Sequence, residues 1–568
     1  MFDSLPQNAT ATLDWSWDRF ARYYANLVER TLTEDNVEAF LADWTRLAEL
    51  VDETHSRLYV ATTQNTADKE AEARFHRYLD EIFPHAKQAE QQLKTKLLEQ
   101  ARVPPGFKIP LRKMRSQAEL FREENLPLLT DEEKLCNEYD RIIGGQTVEW
   151  EGKEVTIPQL RPVFQQLDRG MRENAWRLAL QRQLRDWESI GDLWKKFLGL
   201  RSTIAANADF PDYRSFRWKD MLRFDYTPDD CKAFHQAIQE AIVPIAERIC
   251  ERRRRQMGID SLRPWDMDVD PLGRPPLRPF KEADELKARS SAIFHQVLPE
   301  FGDYFDVMLN EGLLDLQNRK NKAPGGYCTH FAAAKRPFIF MNAVGIHDDV
   351  QTLLHESGHA FHDFEVSRLP YYQQRAVGME FAEVASMAME LLAGPYLSKG
   401  QGGFYSEADT ARALVDHLEK SILFWPYMAV VDAFQHWVYE NPHEAQDPAK
   451  CDAAFAAAWN RFITWIDWSG LEKEQATGWQ RKLHIHTVPF YYVEYGLAQL
   501  GAVQIWGNSL EDQRAAVEAY RQALAKGGTL PIPQLFATAG AKFALDAATL
   551  RTAADLMEAQ INELSSSS

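Results

Sequence analysis

Thiols are scarce and scattered in this sequence. Five cysteines (Cys136, Cys231, Cys250, Cys328 and Cys451) occur in 568 residues, an odd number with no CxxC spacing. That argues against a disulfide framework and a thiolate zinc site, and it suits a reducing compartment. The first residues, MFDSLPQNATATLDWSW, join no basic start to an apolar core, so no secretory signal is expected. Long apolar runs are missing as well. The best candidate, Ile422 to Tyr439, contains Pro426, Asp432, Gln435 and His436 and reads as a buried helix, not a membrane crossing. Positive charge is the last deficit. Against 83 acidic residues stand 65 Lys and Arg, a formal net charge of −18, which is a poor match to a phosphate backbone. The densest basic run, Arg252 to Arg255, precedes Gly258 and is expected to be a solvated or salt-bridged helix end. These deficits predict a soluble, cytoplasmic protein without nucleic-acid or membrane partners.

What is abundant is core material: 45% of residues are hydrophobic and 12% aromatic, with 16 Trp, which excludes disorder over most of the length. Length alone does not separate tandem domains from one two-lobed body. Helix-period patterns fill the first part, as in Val37–Leu41–Trp44–Leu47–Val51, the Glu/Lys/Gln-rich stretch 67–101, and 160–200 with Trp176, Leu180, Leu184 and Trp187. No repeat of fixed period is present, which disfavours a solenoid. The Pro- and Gly-rich stretch 264–280 interrupts the helices, and its Trp and Phe predict an ordered loop packed on the body. The one persuasive strand signal is the pair Gly326–Phe331 and Pro337–Asn342, separated by a turn-sized gap.

Directly after those strands comes Asp349-Val-Gln-Thr-Leu-Leu-His355-Glu356-Ser357-Gly358-His359. It reads as a helix opening at an acidic cap. One turn apart, His355 and His359 project from the same face and can grip one ion, with Glu356 placed to reach a water on it. Chance supplies roughly 0.03 HExxH matches in a chain of this composition. Catalytic zinc needs a third protein ligand and an open fourth position. An amphipathic helix downstream offers Glu380, Glu383 and Glu390 at spacings of three and seven, and periodicity does not choose among them. One is expected to ligate and a neighbour to orient an imidazole. His362 falls on the same side and is expected to support a ligand from behind or to pack in the core.

Several separated blocks, in order, resemble the thimet oligopeptidase family, particularly its oligoendopeptidase F branch. They are LRPWD (Leu262–Asp266), GGYC, RPFIFMN, DVQTLLHESGHAFH, FAEVASMAMELL, DAFQHWVY (Asp432–Tyr439) and HTVPFYYVEY (His486–Tyr495), spanning about Leu262 to Gly501. Ala385 stands where that family commonly has Pro, and Ser357 where it commonly has Phe; neither is a ligand. The resemblance implies Glu383 as the third metal ligand, one Zn2+ per chain, and short peptides as substrates. It implies a mainly α, two-lobed body with a small β-sheet beside the active-site helix and a deep central channel. The division expected is a helical N-terminal lobe over 1–165, a catalytic region over 166–564 and a polar tail over 565–568.

The expected reaction is endopeptidic hydrolysis of short peptides by a water activated at the metal, with Glu356 as general base. By similarity to the family, His486, Tyr491 and Tyr495 are the candidate oxyanion donors, with Tyr492 as an alternative register. Peptide is expected to add to the PFIFMN strand as to a sheet edge, with Gly325 and Gly326 shaping the loop above it and Tyr327, Phe340 and Asn342 lining the site. The alternatives are a zinc carboxypeptidase or aminopeptidase with the same ligands, and a helical peptide-binding protein with a structural zinc.

Overall fold

The computed structural model describes residues 1–100 and 103–566. Among these, helices dominate: twenty-four α-helices and ten short 3-10 turns surround five strands. The apolar periodicity from Val37 matures into one long helix, Val37–Gln64. The stretch from residue 67 breaks into two helices, Lys69–Glu81 and Phe83–Leu98, because Pro84 opens the second. The apolar span around Pro426 lies within a 34-residue helix, Glu407–Glu440. No helix among the described residues is long and apolar enough to cross a membrane. The last helix runs to Ser566, so Ser565 and Ser566 of the closing serine run are helical, and the final two serines lie outside the described residues.

Two large apolar cores hold the body. One is built from Phe2 to Met114, around Trp44, Tyr23 and Leu93. The larger one gathers the helices from residue 194 onward with the sheet and the HExxH helix.

The strands form two sheets. β1 (Thr147–Trp150) and β2 (Lys153–Thr156) make a hairpin through Glu151 (φ 50°) and Gly152 (φ 76°), a left-handed pair that matches the twist of two antiparallel strands. This hairpin was not expected from the sequence. The second sheet has the order β3–β5–β4, where β3 is Leu314–Gln317, β4 Tyr327–Phe331 and β5 Arg336–Ala343. β4 and β5 are the expected strand pair, antiparallel with Tyr327 opposite Phe340. β3 lies parallel to β5 on its other side, with Leu314 opposite Ile339. The PFIFMN strand is therefore central, and the expectation that it forms a free edge is corrected: the two edge strands are β3 and β4.

The loop after Arg263 is ordered, with Trp265, Val269 and Phe280 buried. Arg253, inside the basic run, donates to the carbonyls of Asp266 and Val269, while Arg254 and Arg255 pair with Glu251 and Arg252 with Glu419. Gly258 then ends the helix in a left-handed cap at φ 64°. Asp266 carries the other half of the loop. Its carboxylate accepts from Arg169 at 2.7 and 3.0 Å, from Arg172 at 2.9 Å and from the Arg263 backbone at 3.0 Å. Arg172 is 2% exposed and Asp266 is fully buried, so removing the acid strands a cation.

Asp266→Ala is expected to lose about 3–5 kcal/mol in denaturant unfolding. Asp266→Leu combined with Arg172→Met should lose less than the single variant, because the only cation then left without the carboxylate is Arg169, which reaches solvent; equal losses would show that the buried pair is not what holds the loop.

Candidate metal centre and catalytic channel

Two helices make the site. The first, His347–Val366, begins two residues before the acidic cap expected at Asp349. Asp349 lies inside the first turn, and its Oδ2 accepts the backbone N–H groups of Val344, Gly345 and Ile346 at 2.8–2.9 Å. The second helix, Met379–Leu392, is buried along almost its whole length. They meet at Gly358, where a Cβ would lie 2.4 Å from the Ala385 carbonyl oxygen and 2.6 Å from Ser386 Cα. No side chain fits there, and the backbones come close for that reason.

This approach puts Glu383 Oε2 3.2 Å from His355 Nε2 and 3.4 Å from His359 Nε2. One ligand atom from each of the three residues lies within 4.8 Å of the others. His355 Nδ1 lies 2.7 Å from Glu390 Oε1, and because a carboxylate only accepts, Nδ1 carries a proton and Nε2 is turned to Glu383. The other Glu390 oxygen is 3.5 Å from His417 Nε2, a contact the sequence did not suggest. Ser386 Oγ donates to Glu383 Oε2 at 2.8 Å, and the Tyr491 hydroxyl donates to Oε1. Burial alone would lower His355 and raise Glu383. Hydrogen bonds to Glu383 and Glu390 instead raise His355 well above the ordinary imidazole range, and the charges and hydrogen bonds of His359 and His355 hold Glu383 well below the carboxylate range. A donor set of two imidazoles and one carboxylate that favours positive charge this strongly fits a divalent cation of the zinc type.

Beside it, Glu356 is buried, and burial raises its carboxyl above the ordinary value. Two cavities meet here, both lined by His355, Glu356 and Tyr495. One, about 400 Å3, is walled by Gly326, Tyr327, Cys328 and Thr329 along the free edge of β4. The other, about 370 Å3, runs past His484, Lys482 and Phe424. A third, about 350 Å3, shares Met379 and Tyr491 with the first. The metal face thus lies along a continuous run of cavities.

Several expected residues fall elsewhere. His486 does not face the site. It is fully buried, stacked on Tyr139 at 4.5 Å and on Trp479 at 5.7 Å, with Nδ1 on the Lys482 carbonyl at 3.3 Å. Two residues earlier, His484 takes its place: Nε2 lies 3.1 Å from the Tyr495 hydroxyl, and burial pushes the imidazole down to about 3, which keeps it neutral. Tyr492 is packed under Lys482 and Phe424 in the second cavity. Glu380 pairs with neither histidine; its carboxylate folds back over Gly378, where a Cβ would lie 2.4 Å from Oε2. His362 lines the first cavity edge-on to Phe381, and burial lowers it to about 3.

In the glycine loop, Gly325 holds φ +86°, and a Cβ on Gly326 would lie 3.4 Å from Glu356 Oε1. Tyr327 stacks on Phe340 at 4.7 Å and its hydroxyl bonds Thr63 Oγ1 at 2.6 Å. Phe340 itself is fully buried, so it supports the cavity wall from behind and does not line it. Asn342 Nδ2 is committed to the carbonyls of Ala323 and Gly325, both at 2.9 Å, and so pins the loop.

A second group of metal-capable side chains, Cys231, Asp432 and His436, reads differently. Asp432 already accepts from His235 Nε2 at 2.8 Å. Arg214, which can only donate, lies 3.3 Å from His436 Nδ1, so the ring proton sits on Nε2, facing Asp432 at 3.3 Å. Burial raises the Cys231 thiol well above its ordinary value. This is a hydrogen-bonded core cluster.

The chain resembles known peptidases over most of its length. The oligopeptidase PepF of Bacillus subtilis is 21% identical over 295 residues, 50% of this chain and 42% of that protein. An oligoendopeptidase F homolog of Mycoplasma pneumoniae is 23% identical over 423 residues, 68% of this chain and 64% of its own length. The matched segments thus span less than two thirds of either curated relative. A solved structure of PZ peptidase A with an inhibitor superposes with a TM-score of 0.90 at 25% identity, covering 99% of each chain. Residues 163–555, which hold both helices of the metal centre, His484 and the sheet, match the model of peptidase family M3, and the chain belongs to that family.

Proposed function

We propose that this chain is a zinc-dependent endopeptidase of short peptides. The observation that carries the reading is the convergence of His355, His359 and Glu383 beside Glu356, on the wall of a cavity run bordered by the free edge of β4. His355, His359 and Glu383 would hold the zinc, with Glu390 orienting His355 and Tyr491 and Ser386 orienting Glu383. When bound, zinc supplies Lewis acidity, which polarises a carbonyl and acidifies a water from 15.7 toward about 7.

The chain's own residues do the rest. Glu356 takes the proton from the attacking water and passes it to the leaving amine; its raised pKa brings it closer to the working pH, as a general base requires. Tyr495 and His484 form the donor pair for the developing oxyanion, since neither carries a negative charge and burial keeps both neutral. Tyr491, whose hydroxyl is on Glu383, acts first as an orienter of the ligand. The free N–H and C=O groups of β4 offer an extended peptide main-chain hydrogen bonds with little demand on its side chains, and the cavity dimensions suit a peptide and not a folded protein. Free thiols at all five cysteines support a cytoplasmic setting.

Four variants test this. On an internally quenched, end-blocked peptide, Glu356→Gln should keep its zinc and lose about 10²–10⁴ in kcat. Cleavage that requires a free terminus would point to an exopeptidase instead. His484→Gln should lower kcat by roughly 10²–10³ with little change in unfolding midpoint, the loss of one oxyanion donor. His486→Gln should do the reverse, destabilising the aromatic cluster around it while kcat per folded molecule stays near wild type. Gly326→Val should raise KM and leave zinc content unchanged, because its side chain would crowd Glu356 and the start of β4; wild-type kinetics would remove this loop from substrate binding.

A further inference from the structure

The cavity that runs past His484 contains an ammonium group with no carboxylate of its own. Lys482 lines this wall, half-buried, with Nζ 4.3 Å from the ring centre of Tyr492 and 5.4 Å from that of Tyr427. Among the described residues no acidic side chain forms an ion pair with it, and burial, unopposed by any neighbouring negative charge, pushes it down to about 8. The other charged groups of the same wall are matched. Lys420 pairs with Asp348 at 2.7 Å and Asp416 at 3.0 Å, Asp348 also holds Arg161 at 2.5 Å, and Glu390 lies between His355 and His417. Glu356 has its own task at the metal.

Keeping a cation half-buried without a counter-charge costs free energy, and the two tyrosine rings offset only part of it. Two features make the group look like a receptor. The rings fix the ammonium in place before any ligand arrives, so little freedom is lost on binding. The same cavity opens onto Glu356, His355 and Tyr495, so a peptide crossing the metal face enters it directly.

We propose that Lys482 receives a carboxylate of the bound peptide, either its free C-terminus or an acidic side chain lying in this cavity. The inference rests on the peptidase reading above and adds a preference to it. A C-terminal carboxylate anchored here sets how far the cut falls from the end of the peptide, whereas an acidic side chain sets a sequence preference at one position.

The test is direct binding, read by fluorescence anisotropy of an N-terminally labelled octapeptide lacking acidic side chains, with zinc-loaded protein carrying Glu356→Gln so that the peptide is not consumed. The free acid is expected to bind at least about tenfold more tightly than its C-terminal amide, as one charge-assisted hydrogen bond predicts. Adding Lys482→Met should remove the difference by weakening the acid alone, and Lys482→Arg should retain it. If acid and amide bind alike but an amidated peptide with a single Glu gains affinity only when Lys482 is present, the side chain is the source. Equal weakening of acid, amide and Glu-containing peptides by Lys482→Met, or no weakening at all, overturns the proposal. Turnover is a separate readout: a Lys482-dependent preference without cleavage by the wild type would sink the peptidase reading and leave this one standing.

Discussion

The contact on which the rest of this structure depends is the backbone-to-backbone packing of the helices His347–Val366 and Met379–Leu392 at Gly358. An HExxH helix supplies two ligands from one face, but a third must come from another element at a distance set to a few tenths of an ångström. Gly358 permits that distance, and small residues at Ala385 and Ser386 meet it from the other side. The arrangement is reinforced from behind, where the Tyr520 hydroxyl donates to the Ala385 carbonyl at 2.6 Å. A second glycine brings in the helix Tyr492–Glu511 less tightly: a Cβ on Gly501 would lie 3.0 Å from a methyl of Val384 on the ligand helix and 2.6 Å from the Phe536 ring. Tyr491, at the start of that third helix, reaches Glu383 as a consequence. A single substitution at Gly358 would thus displace the third ligand and the tyrosines together.

Electrostatics then separates sites that look alike by residue type. Around Glu383, buried groups are left with excess affinity for positive charge, and desolvating a carboxylate costs several kcal/mol unless something compensates it. Around Asp432, the same residue types are tied up with one another: His235 bonds the carboxylate, His436 Nε2 faces it at 3.3 Å, Arg214 lies on the other nitrogen of His436, and a protonated thiol completes the packing. Both clusters contain pairs at helical spacing of four. In both, the ligand atoms lie close together, but His355, His359 and Glu383 line the cavity walled by β4, whereas Cys231, Asp432 and His436 are all buried.

This contrast explains what could be read from the residues. The motif helix, the strand pair and the packed loop after Arg263 were legible because each is encoded locally, by spacing, by β-branched and aromatic runs, or by Trp and Phe among prolines. The choice among Glu380, Glu383 and Glu390 was not encoded by periodicity. Spacings of three and seven put all three on nearly one face, and what distinguishes them is how far along the helix Gly358 docks. The family resemblance pointed to Glu383; the geometry adds Glu390 on His355 and leaves Glu380 over Gly378. The rank of PFIFMN within its sheet was hidden for another reason. Its second neighbour, β3, is only four residues long (LDLQ) and pairs in parallel, so nothing local announces it. Once β3 is present, β4 becomes the edge that can meet a peptide. The β1–β2 hairpin did carry a signal, Glu151-Gly152 between TVEW and KEVT, but it is short and sits among helices.

The histidine pair shows how one segment carries both a site and a core. On a helix, two positions differ by about 200°, so in Leu483–Thr487 the side chains of His484 and His486 must point apart. One of them can face the metal only if the other is buried. The surroundings decide which: Tyr139, Trp194 and Trp479 form an aromatic enclosure on one side, and Arg201, fully buried, donates to the carbonyl of His486. A flat neutral ring fills that enclosure well, which leaves His484 to Tyr495. The chain must then turn to bring the tyrosines round, and it does so at Phe490, a non-glycine residue at φ +65°. Such a conformation costs roughly 1–3 kcal/mol and persists only where neighbours over-determine it. Here Gln435 Oε1 accepts the Phe490 N–H at 2.7 Å, Arg223 donates to its carbonyl, and its ring is fully buried against Trp218, His436 and Tyr439. The strained turn is what allows Tyr491 to reach Glu383 while Tyr495, one helical turn on, reaches His484. The DAFQHWVY helix, which touches neither metal ligand nor cavity through Gln435 or His436, thereby sets the geometry of the oxyanion donors.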